Sequence, residues 1–147
     1  KFVKGFDFSR FALVIKKHAL DKGDYSWAEE AGAIADSRYS SMEWLRICDK
    51  VITDYSAIAF EAAVAGKDIC FYLPDEGAYE HNVGLNMDLR KEAVGEYVCG
   101  NEEELFQCLD GEYRKEAVRE FRDKYIEADT DDCTRKLGDF IMEKVSG

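Results

Sequence analysis

Three short segments carry side chains suited to holding a phosphate ester: His18, Asp54-Tyr55-Ser56 and Asp75. The middle one is the most telling. Val51-Ile52-Thr53 is a β-branched run that passes through Asp54-Tyr55-Ser56 into the apolar stretch Ala57-Ile58-Ala59-Phe60, followed by Glu61. A strand that turns straight into a helix aims the unpaired N–H groups of the helix's first turn, and the positive end of its dipole, at the space beyond the strand. Nucleotide phosphates are the anions most often bound this way. Ser56 with the amides of Ser56 and Ala57 is therefore a candidate phosphate cradle; Ser56 as a plain helix N-cap is the structural alternative, and the two roles are compatible.

A sheet of parallel strands would place these segments together. Phe11-Ala12-Leu13-Val14-Ile15 is a continuous apolar run, as expected of a strand buried on both faces, with His18 beyond its carboxyl end. Residues 21–30 read as a loop, 32–36 as a weak strand, and 41–48 as a helix capped by Ser41. Strands are expected at 50–53 and 68–73, the second ended by Pro74, with an all-round apolar helix at 56–65 closed by Gly66 between them. Residues 75–82 read as a loop or short helix, and 83–87 and 94–99 as short strands.

Asn101 and Glu104 form a capping-box-like start to a helix through Leu109. Two further amphipathic helices carry Tyr113, Ala117, Val118, Phe121 and Tyr125, and then Leu137, Phe140, Ile141 and Val145. Strands alternating with helices imply an α/β fold, a Rossmann-like mainly parallel sheet flanked by helices. Ligands of such sheets bind beyond the carboxyl ends of the strands, where His18, Asp54-Tyr55-Ser56 and Asp75 all fall.

The chain has 147 residues, 46% of them hydrophobic, which is material for a single domain over 1–147. Its formal net charge of −11 disfavours nucleic acid and anionic lipid as partners, so any phosphate must be held by a local site. Cys48, Cys70, Cys99, Cys108 and Cys133 show no CxxC spacing and are expected to be reduced core residues of a cytoplasmic protein. His18 and His81 are far from any cysteine pair, so no metal site is expected, and no cofactor is implied. No apolar run reaches the roughly 20 residues of a membrane span. The start at Lys1 without a methionine reads as a piece of something longer.

From about Phe11 to about Val145 the chain resembles the C-terminal half of the CDP-glycerol glycerophosphotransferases, the teichoic-acid polymerases and primases. Ile47-Cys48-Asp49-Lys50-Val51-Ile52-Thr53-Asp54-Tyr55-Ser56 is similar to the family's "ISDVLITDYSS", and Lys67-Asp68-Ile69-Cys70-Phe71-Tyr72 to its "KPIIFY". Asp75 with Tyr79 looks like its "YDxxxY" loop, and residues 101–109 like its "TEEELxxxL" helix. The resemblance implies the donor-nucleotide-binding domain of a two-domain GT-B-type transferase. Its reaction would be transfer of glycerol phosphate from CDP-glycerol, or a similar nucleotide-activated polyol, to a polyol-phosphate acceptor with release of CMP. The partner domain would be an N-terminal half absent here, the fragment alone would be inactive, and the full enzyme would sit peripherally on the inner face of the cell membrane.

Carried over by residue, His18 matches the histidine of the family's "HP" motif, near the pyrophosphate; read alone it is a strand-end histidine satisfied by backbone. Asp54 would orient the turn or bind the ribose, or simply cap locally. Glu61 takes the place of a family aspartate and would accept from a ribose hydroxyl or pair with a basic side chain. Asp75 and Tyr79 would join the site or form a plain loop. Asp131, Asp132 and Thr134 fall at the family's "DDGxxS" helix start, where a capping role is the simpler account. The chain departs from the pattern at Ala19, Ala57, Glu61, Val83 and Cys133. Val83 matters most, because the arginine it replaces is a fixed cation for phosphate. A related GT-B nucleotide-sugar transferase or epimerase domain using another nucleotide donor, and a non-catalytic α/β interaction module, are the competing readings.

Overall fold

Strand Asp68–Tyr72 is the centre of the molecule because its sequence is apolar on both of its faces. The computed structural model describes residues 2–17, 21–126 and 132–146; His18, Ala19 and Asp131 lie outside them. In chain order the strands are β1 (Val14–Lys16), β2 (Ile34–Asp36), β3 (Lys50–Thr53), β4 (Asp68–Tyr72) and β5 (Val98–Cys99). All pairings are parallel: β1 with β2 in one sheet, and β3-β4-β5 in that order in a second. The helices are α1 (Phe2–Gly5), α2 (Ser26–Glu29), α3 (Ser41–Ile47), α4 (Ile58–Val64), α5 (Glu76–Asn82), α6 (Glu102–Asp110), α7 (Lys115–Tyr125) and α8 (Cys133–Ser146). The domain is a parallel α/β fold with helices flanking the sheets, the Rossmann-like arrangement expected.

Side chains alternate across a strand, and β4 uses both sides. Ile69, Phe71 and Leu73 enter the larger core with Ala59, Ala62 and Ala63 of α4 and Ala117, Val118 and Phe121 of α7. Cys70 and Tyr72 face Cys99, Leu105 and Leu109 on the α6 side. Phe121, 1% exposed, lies parallel to Phe60 with ring centroids 5.5 Å apart and edge-on to Phe71 at 6.2 Å. Gly66, at φ +65°, turns the chain out of α4. Asn101 caps α6 as expected: its side chain accepts the Glu104 N–H at 3.0 Å, and the Glu104 carboxylate accepts the Gly100 N–H at 2.7 Å.

Several expectations are corrected. The first strand is only three residues long and half-buried, since Ile15 packs with Val3, Ala28 and Ala33 while the opposite side of β1 faces an open cavity. The cap of α3 is Ser40, not Ser41: Ser40 and Glu43 make a full capping box. Helix α4 buries one face only, with Val64 and Glu61 exposed. Residues 83–87 form no strand; Gly84 sits there at φ +86°. Residues 94–99 are mostly a 3-10 turn, Gly95–Tyr97, before β5, and at Gly95 a side chain would collide with the Arg90 carbonyl. The apolar positions of α8 do share a face, yet Leu137, Phe140, Ile141 and Val145 are each at least half exposed.

The cysteines are not all free. Cys70 of β4 and Cys108 of α6 form a disulfide, while Cys48 and Cys99 are free thiols. The two partners face one another because Cys108 lies one turn after the buried Leu105 on the sheet-facing side of α6, with the Cα atoms 6.5 Å apart. Nothing in the sequence spacing brings a strand cysteine to a helix cysteine 38 positions later.

Among the described residues one buried charge, that of Asp36, holds the β2–α3 corner. Asp36, 3% exposed, accepts the Trp44 indole N–H at 2.8 Å and the backbone N–H groups of Arg38 and Tyr39 at 3.1 and 3.0 Å. These donors, the Trp44 bond foremost, hold its carboxyl below the ordinary 3.8. A carboxylate depressed by folding contributes stability above its unfolded pKa and loses it as pH falls through the folded value. Asp36→Asn is accordingly expected to lower the urea midpoint at pH 7, with the gap to wild type narrowing at pH 3; an equal gap at both pH values would refute the ionic role. Phe121→Ala, which empties the centre of the larger core, is expected to cost about 3–5 kcal/mol in urea unfolding.

Candidate functional site

The carboxyl ends of β1, β3 and β4 open into one cavity of about 980 Å³. Asp54, Tyr55 and Ser56 line it from the end of β3, and Pro74, Asp75 and Tyr79 from the end of β4. Ser41 and Trp44 of α3 add a wall, as do Val14, Lys16 and Lys17 from β1. Two of the three segments singled out in the sequence thus converge on one cavity, and the chain just before the third, at Lys16 and Lys17, borders it as well.

The β3–α4 turn is ordered by its own aspartate. Asp54 Oδ1 accepts the Ser56 N–H at 3.1 Å, so that amide is already engaged. Ser56 makes no side-chain cap; Ala57 occupies the position before α4 in helical geometry, and the Ser56 and Ala57 carbonyls accept from Ala59 and Phe60 at 3.2 and 3.0 Å. The amides of Ala57 and Ile58 are left with no partner among the described residues. Asp54 thus takes the Ser56 amide, and of the two residues whose amides stay unpartnered, Ile58 lines the cavity while Ala57 is not among its lining residues.

Tyr55 ties this turn to the next. Its ring stacks on Tyr79 with centroids 3.8 Å apart and planes 13° from parallel, and its hydroxyl donates to Asp75 Oδ1 at 3.4 Å. Burial, followed by the negative charge of Asp75 and Glu76, pushes the Tyr55 phenol up to about 12, so at neutral pH it is an un-ionised donor. Across the cavity, the bond from Trp44 to Asp36 fixes the indole, against which Tyr39 packs edge-on at 5.8 Å. The site thus offers fixed aromatic surface, hydroxyl and carboxylate acceptors, free amides and, from β1, cations.

Other candidates stand apart from the cavity lining. Glu61 is exposed on α4. Asp132 accepts from Arg135 Nε at 2.8 Å while its carbonyl accepts the Lys136 N–H, and Thr134 is exposed in the first turn of α8. Val83, 68% exposed, lies at the end of α5, and His81 is exposed in the same helix. Lys16, Lys17, Ser41 and Trp44 were not foreseen in the sequence. Alternation along β1 is the signal that marks Lys16, since Val14 and Lys16 share the side opposite Ile15. Among the described residues no three His, Cys, Asp or Glu side chains gather as a metal site, and no helix is long and apolar enough to cross a membrane.

The model of the CDP-Glycerol:Poly(glycerophosphate) glycerophosphotransferase family matches residues 8–143. The chain is 25% identical over 137 residues to a teichoic acid glycerol-phosphate primase of Bacillus subtilis, covering 92% of this chain and 36% of the relative. A primase of the same description from Bacillus spizizenii is 27% identical over 135 residues, covering 91% and 35%. A teichoic acid poly(glycerol phosphate) polymerase of Bacillus subtilis is 28% identical over 100 residues, covering 66% and 13%. The chain thus spans about a third of the length of the primases it matches. No solved structure matches it significantly. With a match that runs through both cavity-forming turns, this chain belongs to the CDP-glycerol:poly(glycerophosphate) glycerophosphotransferase family.

Proposed function

We propose that this domain is the donor-binding half of a two-domain, GT-B-type glycerophosphotransferase, and that the cavity beyond β1, β3 and β4 holds the cytidine diphosphate portion of CDP-glycerol or a close nucleotide-activated polyol. The observation that carries the reading is the convergence of Asp54-Tyr55-Ser56 and Asp75 on that cavity, which Ile58, with its unpartnered amide, also lines. Amides aimed at a phosphate stabilise its charge without reorganisation. The fixed Trp44 ring and the Tyr55–Tyr79 stack supply flat apolar surface for a base or ribose.

In the reaction so assigned, a terminal hydroxyl oxygen of the acceptor attacks the donor's β-phosphorus. The bond from that phosphorus to the bridging oxygen breaks, and CMP leaves with the bridging oxygen. Phosphoryl-type transfer needs positioning and charge neutralisation more than covalent chemistry from the protein. His18, by its match to the family histidine, is assigned to the leaving phosphate, where an imidazolium neutralises developing charge. The general base and the acceptor groove belong to the N-terminal half, and the whole enzyme works at the cytoplasmic face of the membrane. The family match and the primase and polymerase relatives support this assignment.

Amide NMR of the 147-residue chain titrated with CDP is expected to shift Asp54, Tyr55, Ser56, Ala57, Ile58, Asp75 and His18, to respond less to UDP, and to yield no CMP from CDP-glycerol. A flat response at these positions overturns the nucleotide assignment, and equal shifts with UDP point to a different donor.

A further inference from the structure

We infer that Lys16 and Lys17, at the carboxyl end of β1, are the cations that hold the donor's diphosphate. The inference rests on the nucleotide reading of the cavity and adds two binding residues to it. A diphosphate diester carries two negative charges, and this cavity already contains the carboxylates of Asp54 and Asp75 in a chain of net charge −11. Free amides alone offer only partial charges against that background. Some full positive charge has to face the ligand.

Among the described residues three lysines line the cavity: Lys16, Lys17 and Lys50. Lys50 is committed elsewhere, since it starts β3 and its ammonium lies 3.5 Å from the largely buried Asp68 carboxylate. Lys16 is placed by strand alternation. Ile15 packs into the cluster with Val3, Ala28 and Ala33, which sends Val14 and Lys16 to the cavity side. Its register partner on β2 is Asp36, whose carboxyl feels the Lys16 charge. That carboxylate is already occupied by three N–H donors, from Trp44, Arg38 and Tyr39, and makes no ion pair with Lys16. Lys16 is exposed, so its ammonium keeps its charge available to a ligand.

Lys17 follows immediately. Its ammonium lies 4.8 Å above the Tyr25 ring, an interaction that restrains the side chain while leaving the charge uncancelled. Asp24 feels that charge, but at no ion-pair distance. Val83 is exposed at the end of α5 and off the cavity lining, whereas the β1 lysines are on it.

Calorimetric titration of the full chain with CDP, cytidine and inorganic pyrophosphate tests this. Lys16→Ala and Lys17→Ala are each expected to weaken CDP and pyrophosphate about tenfold, the scale of one charge-assisted contact, and to leave cytidine unchanged. Lys16→Gln, which keeps a donor without the charge, should fall with Lys16→Ala. Arg119→Ala, on the exposed face of α7, controls for the change in net charge and should bind like wild type. Circular dichroism of each variant confirms folding. CDP bound equally by wild type and both lysine variants overturns this inference and leaves the nucleotide reading standing. Pyrophosphate binding that the variants lose, with no response to CDP in wild type, keeps the lysine site and overturns the nucleotide reading. No binding of either anion overturns both.

Discussion

Burial of β4 on both faces is the constraint from which the rest of the architecture follows. A strand with Ile69 and Phe71 on one side and Cys70 and Tyr72 on the other must be covered twice, and each cover is a helix layer. On one side the small residues Ala59, Ala62 and Ala63 let α4 approach closely, and α7 fills the remainder with Phe121. On the other side α6 closes the layer and is tied to the strand by the Cys70–Cys108 bond. The carboxyl end of β4 is thereby held in place, and Asp75 and Tyr79 reach the cavity from a fixed base.

Charge is distributed unevenly around that base. Several acidic groups pair with lysines and arginines, as the largely buried Asp68 does with Lys50 and Lys115 and Glu92 with Lys124. Such pairs add little stability individually, but they tie up basic side chains that would otherwise be free to meet a ligand. Lys16 and Lys17 make no such ion pair: the Asp36 carboxylate across from Lys16 is engaged by backbone and indole donors, and Lys17 lies over the Tyr25 ring. An acidic protein can therefore present a locally basic corner.

The parts of this arrangement that depend on short-range rules were readable in the chain. The turn after Thr53, the Asn101 cap, the Gly66 exit and the two-sided strand at 68–72 all follow from local spacing and propensity. What was not readable depends on contacts between distant segments. Phe11-Ala12-Leu13-Val14-Ile15 looked like a fully buried strand, yet burial on the second side requires a neighbour that β1 does not have. The pairing of Cys70 with Cys108 likewise depends on geometry that no spacing encodes, whereas the capture of Ser56's amide by Asp54 is the local cap that the sequence already offered. The candidate residues Asp54, Tyr55, Ser56 and Asp75 met in space because each follows a parallel strand, a topological rule. Glu61 and Asp132 had only their places in a motif to recommend them, and they lie on other surfaces.

Among the described residues, no ladder hydrogen bond joins β1 to β3; the two belong to separate sheets that face one another across the cavity. The span between these walls is consequently governed by the bulk of the side chains wedged there, Trp44 and Leu45 foremost, instead of by main-chain pairing. A site built this way can be resized by exchanging one or two residues of α3 while every strand keeps its register, which gives evolution a route to cavities of another size that leaves the scaffold untouched.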